Sequence, residues 1–132
     1  CLSPLGRQGG VQPIKLDNEC GWNEIAHEVM HTMGFIHEQS RSDRDKFVEV
    51  LYPNIEADFR DQFDILPEDF LGPVKDTAFD YSSIMLYDTS VFSKAGQPTI
   101  RSKTGEAIQP SKNGLSPSDI HRVKSFYSLH NR

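Results

Sequence analysis

The stretch that decides the reading is His27-Glu28-Val29-Met30-His31-Thr32-Met33-Gly34-Phe35-Ile36-His37. On an α-helix, positions i and i+4 stand one above the other on the same face. A helix here therefore offers His27 and His31 to one metal ion from consecutive turns. Glu28, one position on, points beside that ion and not into its coordination sphere, which suits a general base acting on water. Gly34 is where the helix stops, because a residue without Cβ takes the left-handed conformation at low cost. The chain can then double back and bring His37 to the same ion. Three neutral imidazoles leave a fourth position open for water, the pattern of a catalytic zinc and not of a closed structural one. HExxH alone can arise by accident on a buried amphipathic helix; the glycine and the third histidine at fixed offsets argue against accident. One Zn2+ per chain is the expected cofactor.

Working outward, 132 residues suffice for one domain with a single core, and the composition is that of an ordinary, rather polar globular chain. The net charge is −5, with acids and bases interleaved and no basic stripe, which speaks against nucleic acid as a partner. No apolar run approaches the length of a membrane span. No signal peptide is visible, as expected of a mature or trimmed chain. Cys1 and Cys20 fit no zinc-ligand spacing. They are either two free buried thiols or one disulfide closing a hairpin-sized loop.

Residues 1–20 read as two short strands with a turn: an edge segment over 2–5 interrupted by Pro4, a bend at 6–10, and an alternating strand over 11–16. Asn23 is the expected N-cap of a helix over 23–33 that buries Ile25, Ala26, Val29, Met30 and Met33. Residues 47–51 predict a brief extended piece, and Ile55, Phe59 and Phe63 share one helical face. Pro67 to Thr77 reads as an irregular loop. Residues 90–112 suggest a hairpin turning at 94–97. Ser116-Pro117-Ser118-Asp119 starts a helix, with a cap, proline at the first position and an acid near the positive end. In that helix Ile120, Val123, Phe126 and Tyr127 are expected to face inward, with His121 and His130 on the surface.

Two motifs then point to a family. Gly34-Phe35-Ile36-His37-Glu38-Gln39-Ser40-Arg41-Ser42-Asp43-Arg44-Asp45 resembles the GFxHExxRxDRD extension of astacin-type metzincins. Ser83-Ile84-Met85-Leu86-Tyr87 resembles their Met-turn, SxMxY. The resemblance runs from Cys1 to about Tyr127 and implies an α+β metzincin-like zinc endopeptidase: edge strands, zinc-binding helix, Met-turn and C-terminal helix. It implies that His27, His31 and His37 hold zinc, that Glu28 is the base, and that Tyr87 stabilises the oxyanion. Met85 matches the floor beneath the imidazoles, and Glu38 a glutamate held in the interior. The match also implies a Cys1–Cys20 bridge, and hence a secreted or extracellular protein acting on protein or peptide substrates. A polar loop containing Lys103 and Lys112 follows residues 99–100, and the resemblance implies that part of the pocket for the residue after the scissile bond is built from this general region, where a cation would favour acidic side chains. One departure is Leu86, where the family commonly has histidine.

The expected organisation is one catalytic domain over 1–132, with edge strands and zinc helix in 1–33 and the third ligand, Met-turn and terminal helix in 34–132. A complete astacin-type domain is longer, so the N-terminal part of the usual fold is expected to be absent from this chain. A fragment, or a nicked enzyme whose companion chain carries the first half, is the favoured expectation over a compact variant. The rival functions are a catalytically inactive zinc-binding relative serving as a protein-binding module, and a structural zinc protein. The presence of all three histidines and Glu28 argues against both.

Overall fold

The computed structural model describes residues 1–130. Helix α1 spans Trp22–Thr32, strand β1 Val48–Val50, strand β2 Ile100–Ser102 and helix α2 Pro117–His130. Short 3-10 turns between residues 38 and 74 carry most of the chain from α1 to the Met-turn segment.

Helix α1 begins one residue before its expected start, and its N-cap is Gly21, not Asn23. The Glu24 carboxylate accepts from the Gly21 N–H at 3.0 Å, closing the first turn from its third position. Asn23 is used elsewhere: its Nδ2 donates to the Ser111 carbonyl at 3.2 Å and its Oδ1 accepts from the Gly114 N–H at 2.9 Å. It thus clamps a distant loop onto the first turn of the helix. The C-terminus is a Schellman turn. Gly34, at φ 93°, donates its N–H to the His31 carbonyl, and Phe35 donates to that of Met30. Met30 and Phe35 are both buried, in the apolar contact that accompanies this turn. Met30 is fully inside, whereas Val29, expected in the core, is 40% exposed.

Two apolar clusters form the core. Met30, Phe35, Ile36, Leu71, Val74, Ile84 and Met85 make one; Val48, Ile55, Phe63, Phe79, Tyr81, Leu86 and Ile100 make the other. Successive residues Met85 and Leu86 thus enter different clusters, so the Met-turn segment joins them. This also accounts for Leu86, which is buried as an apolar side chain.

Several expectations change. In place of two strands over residues 1–20 there is one antiparallel bridge, Leu2 to Lys15. Pro4 and Pro13 face each other two residues along from that bridge and withhold donors from both segments, which keeps the ladder from extending in that direction. The extended piece at 47–51 is present as β1, but its partner is β2, in register Val48 with Ser102 and Val50 with Ile100. Residues 90–100 are accordingly not a hairpin: Phe92 sits in the left-handed region at φ 56°, and Ser93 bridges to Ile55. The segment Ala57–Phe63 is 3-10, so Phe59 does not share the buried face of Ile55 and Phe63 and instead stacks on Phe92 at 4.4 Å. In α2, Ile120 and Tyr127 lie 43% and 38% exposed, contrary to expectation, while Val123 packs on the first cluster. His121 is exposed as expected; the side chain of His130 lies outside the described residues.

Candidate metal centre

Helix geometry and the Schellman turn together bring the three imidazoles to one point. The Nε2 atoms of His27 and His37 lie 3.1 Å apart, and those of His31 and His37 3.2 Å apart. Imidazole nitrogens placed 2.0–2.1 Å from a tetrahedral zinc stand about 3.3 Å from one another, so the cluster has zinc's dimensions. The other ring nitrogens of His27 and His31 are committed. His27 Nδ1 donates to the Ile84 carbonyl at 2.8 Å, and His31 Nδ1 to the Phe35 carbonyl at 2.9 Å. With Nδ1 protonated, each of these rings turns a bare Nε2 lone pair toward the others. Such a convergence of acceptors calls for a cation between them.

The electrostatics agree. Burial, and then repulsion from His27, lower His31 to about 4 against the partly offsetting bond to Phe35. Burial, with His31 and His27 nearby, likewise holds His37 well below its ordinary value. His31 and His37 are therefore neutral near pH 7, the state in which imidazole ligates metal. The donor set fits a zinc ion.

Glu28 is buried at 6% exposure and lines the same cleft of about 420 Å³ as the three histidines. Tyr87 lines it too. Its ring centre lies 4.5 Å from that of His37, with Phe63 and Phe92 edge-on at 5.5 and 5.8 Å. Burial, and then the charges of Asp61 and Glu28, push its phenol up to about 12, so it remains a proton donor at neutral pH. A second hollow of about 310 Å³ shares His27 and Tyr87 with the first; Lys112 borders it, its ammonium 3.4 Å from Asp88.

Met85 is buried among Met30, Phe35 and Ile36, and its carbonyl accepts from the Glu38 N–H at 3.0 Å. Glu38 itself is fully buried. Its Oε1 takes Arg122 at 2.6 Å, and its Oε2 takes Arg41 at 3.3 Å and the Asp80 N–H at 3.0 Å. Burial pushes this carboxyl up, against the pull of Arg122 and Arg41. Asp119, also fully buried, accepts from Ser83 Oγ at 2.7 Å and from the Ile84 N–H at 2.9 Å. The same carboxylate takes the Ser116 N–H while Ser116 Oγ accepts from the Asp119 N–H, a capping box that starts α2. One side chain thus ties α2 to Ile84, the residue whose carbonyl orients His27. Cys1 and Cys20 form a disulfide, their Cα atoms 6.0 Å apart.

Of the residues singled out from the sequence, the structure brings the three histidines, Glu28 and Tyr87 into one cleft and sets Met85, Gly34 and Glu38 behind it. Sequence reading missed the supports that hold them. The carbonyls of Ile84 and Phe35 leave no mark on side-chain identity, and Arg122 lies 84 positions from Glu38. Only Asp119 carried a signal, as an acid three residues after a capping serine.

Fold and geometry together define a protein built around a three-imidazole cluster, with the dimensions of a zinc site, in an open cleft. The family model for Astacin, a peptidase family, matches residues 1–128. Zinc metalloproteinase nas-13 of Caenorhabditis elegans is 41% identical over 97% of the chain, and zinc metalloproteinase nas-8 of Steinernema carpocapsae 39% over 97%. High choriolytic enzyme 1, a hatching enzyme zinc-protease from Oryzias latipes (Medaka fish), superimposes with a TM-score of 0.88 at 35% identity over 97% of the chain. This chain belongs to the astacin family of zinc metalloproteinases, and its fold is that of an α+β, astacin-like metzincin. It spans 28% and 31% of those two relatives and 64% of the hatching-enzyme chain.

Proposed function

We propose that the chain carries the catalytic centre of a secreted, zinc-dependent endopeptidase acting on extended protein or peptide substrates. The observation that carries this reading is the meeting of three imidazole Nε2 atoms beside a buried glutamate and a protonated tyrosine in one open cleft. His27, His31 and His37 would hold one zinc ion. When bound, zinc supplies Lewis acidity toward the scissile carbonyl and toward the attacking water. Glu28 takes the proton of that water and later gives it to the leaving amine nitrogen. Tyr87 donates its phenolic hydrogen to the carbonyl oxygen as negative charge gathers there. Met85 supports the site from the apolar side, Gly34 permits the reversal that presents His37, and Glu38 anchors the segment just after it. The domain 1–132 divides at the cleft, with residues 1–33 supplying the two-histidine helix and one wall, and 34–132 the third histidine, the tyrosine and the floor.

Extracellular residence is supported by the Cys1–Cys20 disulfide, which persists in oxidising compartments. No helix among the described residues is long and apolar enough to cross a membrane. The test is cleavage of a quenched peptide library by the zinc-loaded chain, with and without chelator, beside Glu28→Gln. The parent is expected to cleave only without chelator. Glu28→Gln is expected to keep its zinc and lose about 10²-fold or more in kcat. Zinc retention with no cleavage by the parent rejects the reading in favour of a binding module; near-parental turnover in Glu28→Gln rejects that residue as the base.

A further inference from the structure

Gln39 is fully buried two residues beyond His37, and the chemistry described so far does not use it. Its Oε1 accepts from the backbone N–H of Tyr87 at 3.2 Å. The orientation of the amide follows from that partner, since the Nε2 end would set donor against donor. The neighbouring rung is a main-chain bond, Glu38 N–H to the Met85 carbonyl at 3.0 Å. The Gln39 side chain therefore stands where a second strand would offer its next carbonyl, and fixes the segment 85–87 against the turn that follows the third histidine.

The anchor is itself held. Buried Arg44 donates to the Gln39 carbonyl at 2.8 Å and also to that of Phe63, and the Phe63 ring packs edge-on against Tyr87 at 5.5 Å. Tyr87 is thus located from its backbone by Gln39 and from its ring by Phe63, both tied to one guanidinium. Gln39 Nε2 has no partner among the described residues. A buried amide with one unpaired end is a poor choice for packing alone, where methionine or leucine fills the space without desolvating a donor.

We infer that Gln39 is a positioning residue for Tyr87, its side-chain carbonyl setting where the phenol meets the reacting carbonyl. The inference rests on the proposed role of Tyr87 in peptide hydrolysis. The test uses the zinc-loaded chain with ring-13C tyrosine, in which the Tyr87 signal is the one lost in Tyr87→Phe and those of Tyr52 and Tyr81 serve as internal controls. Gln39→Met keeps volume and removes the acceptor; Gln39→Glu keeps an oxygen at similar reach. Gln39→Met is expected to shift or broaden the Tyr87 signal alone, and Gln39→Glu to restore it. The kcat of Gln39→Met should fall about tenfold at constant KM, with the factor shrinking below about twofold in a Tyr87→Phe background. An unmoved Tyr87 signal in folded Gln39→Met, or an equal loss of kcat in both backgrounds, overturns the inference. If Gln39→Met does not fold, hydrogen exchange of the Tyr87 amide in the parent decides: protection supports the bond to Gln39 and fast exchange overturns it. A parent that never cleaves refutes the proposed function, while the tyrosine spectrum still reports on Gln39.

Discussion

Beneath the three imidazoles, fully buried Glu38 and Asp119 close around Arg122, Arg41 and Ser83; Glu38 with Arg122 and Asp119 with Ser83 join segments far apart in the chain, while Glu38 with Arg41 and Asp119 with Arg122 are short steps. Along the opposite side of the cleft, residues 1–20 are held by one backbone bridge, a disulfide, a bond from Gly6 N–H to the His31 carbonyl and the pairing of Ser3 with Thr32 at 2.7 Å. Leu2 is 62% exposed there, and Val11 wholly so. The difference follows the proposed chemistry. Groups that are to meet a metal and a carbonyl at fixed distances need a floor with a single arrangement, which buried, paired charges enforce. On the same proposal, a wall that receives extended chains of varied sequence needs an available backbone more than a fixed one.

The largest expected effect comes from breaking the floor. Arg122→Met fills similar space but leaves the Glu38 and Asp119 carboxylates buried without their shared cation, at a cost of about 3–5 kcal/mol. Urea unfolding of the zinc-loaded protein should show it, with zinc affinity falling as the Ile84 carbonyl loses its fixed position. A loss below about 1 kcal/mol would show that the network does not hold the floor.

Next comes acid. His31 titrates at about 4 in the folded chain and at its ordinary value of 6.5 once unfolded. Between those values the unfolded state binds more protons, so stability falls as the pH falls and is flat above the window. Chelator-treated protein should accordingly unfold at lower urea near pH 5 than near pH 7.5, and His31→Asn should reduce the difference. The wall is expected to respond more gently. Replacing both Cys1 and Cys20 by serine costs about 3 kcal/mol in the chain-entropy model. Since Cys1 lines the cleft and touches no reacting group, KM should rise while kcat holds. A collapse of kcat would mean that the wall positions the chemistry after all.

The same contrast explains what could be read from the sequence. Helix α1, its stop at Gly34 and the start of α2 at Ser116 depend on residues within a turn of each other, and spacing alone reveals them. The pairing of 48–50 with 100–102 depends on contacts between distant segments, and a local pattern at 90–100 suggested a hairpin in its place. Phe92 lies in the left-handed region with its ring stacked on Phe59, an arrangement that no window of sequence contains. Likewise the three histidines were visible as a motif, whereas the carbonyls that orient His27 and His31 became visible only once Ile84 and Phe35 were placed. Gly34→Ala tests the local side of this division. A Cβ there meets Pro73 at an ordinary 3.8 Å, so the cost is the strained φ of 93°, about 1–2 kcal/mol.

The smallest expected effect makes the sharpest control. Arg101 and Glu49 face each other across β1 and β2 at 2.5 Å, as short as the 2.6 Å between Arg122 and Glu38. By distance alone the two pairs are equal. They differ in surroundings: the side chains of the first are 64% and 46% exposed, those of the second 1% and 0%. In water the Coulomb gain of the surface pair is screened and is offset by the ordering of two long side chains. Arg101→Ala should therefore cost at most about 1 kcal/mol, and high salt should erase even that. The buried pair should be nearly indifferent to salt, because ions do not reach it. If Arg101→Ala instead matches Arg122→Met in cost, burial does not set the two regions apart, and the rigidity of the floor must come from its apolar packing around Met85 and Phe35.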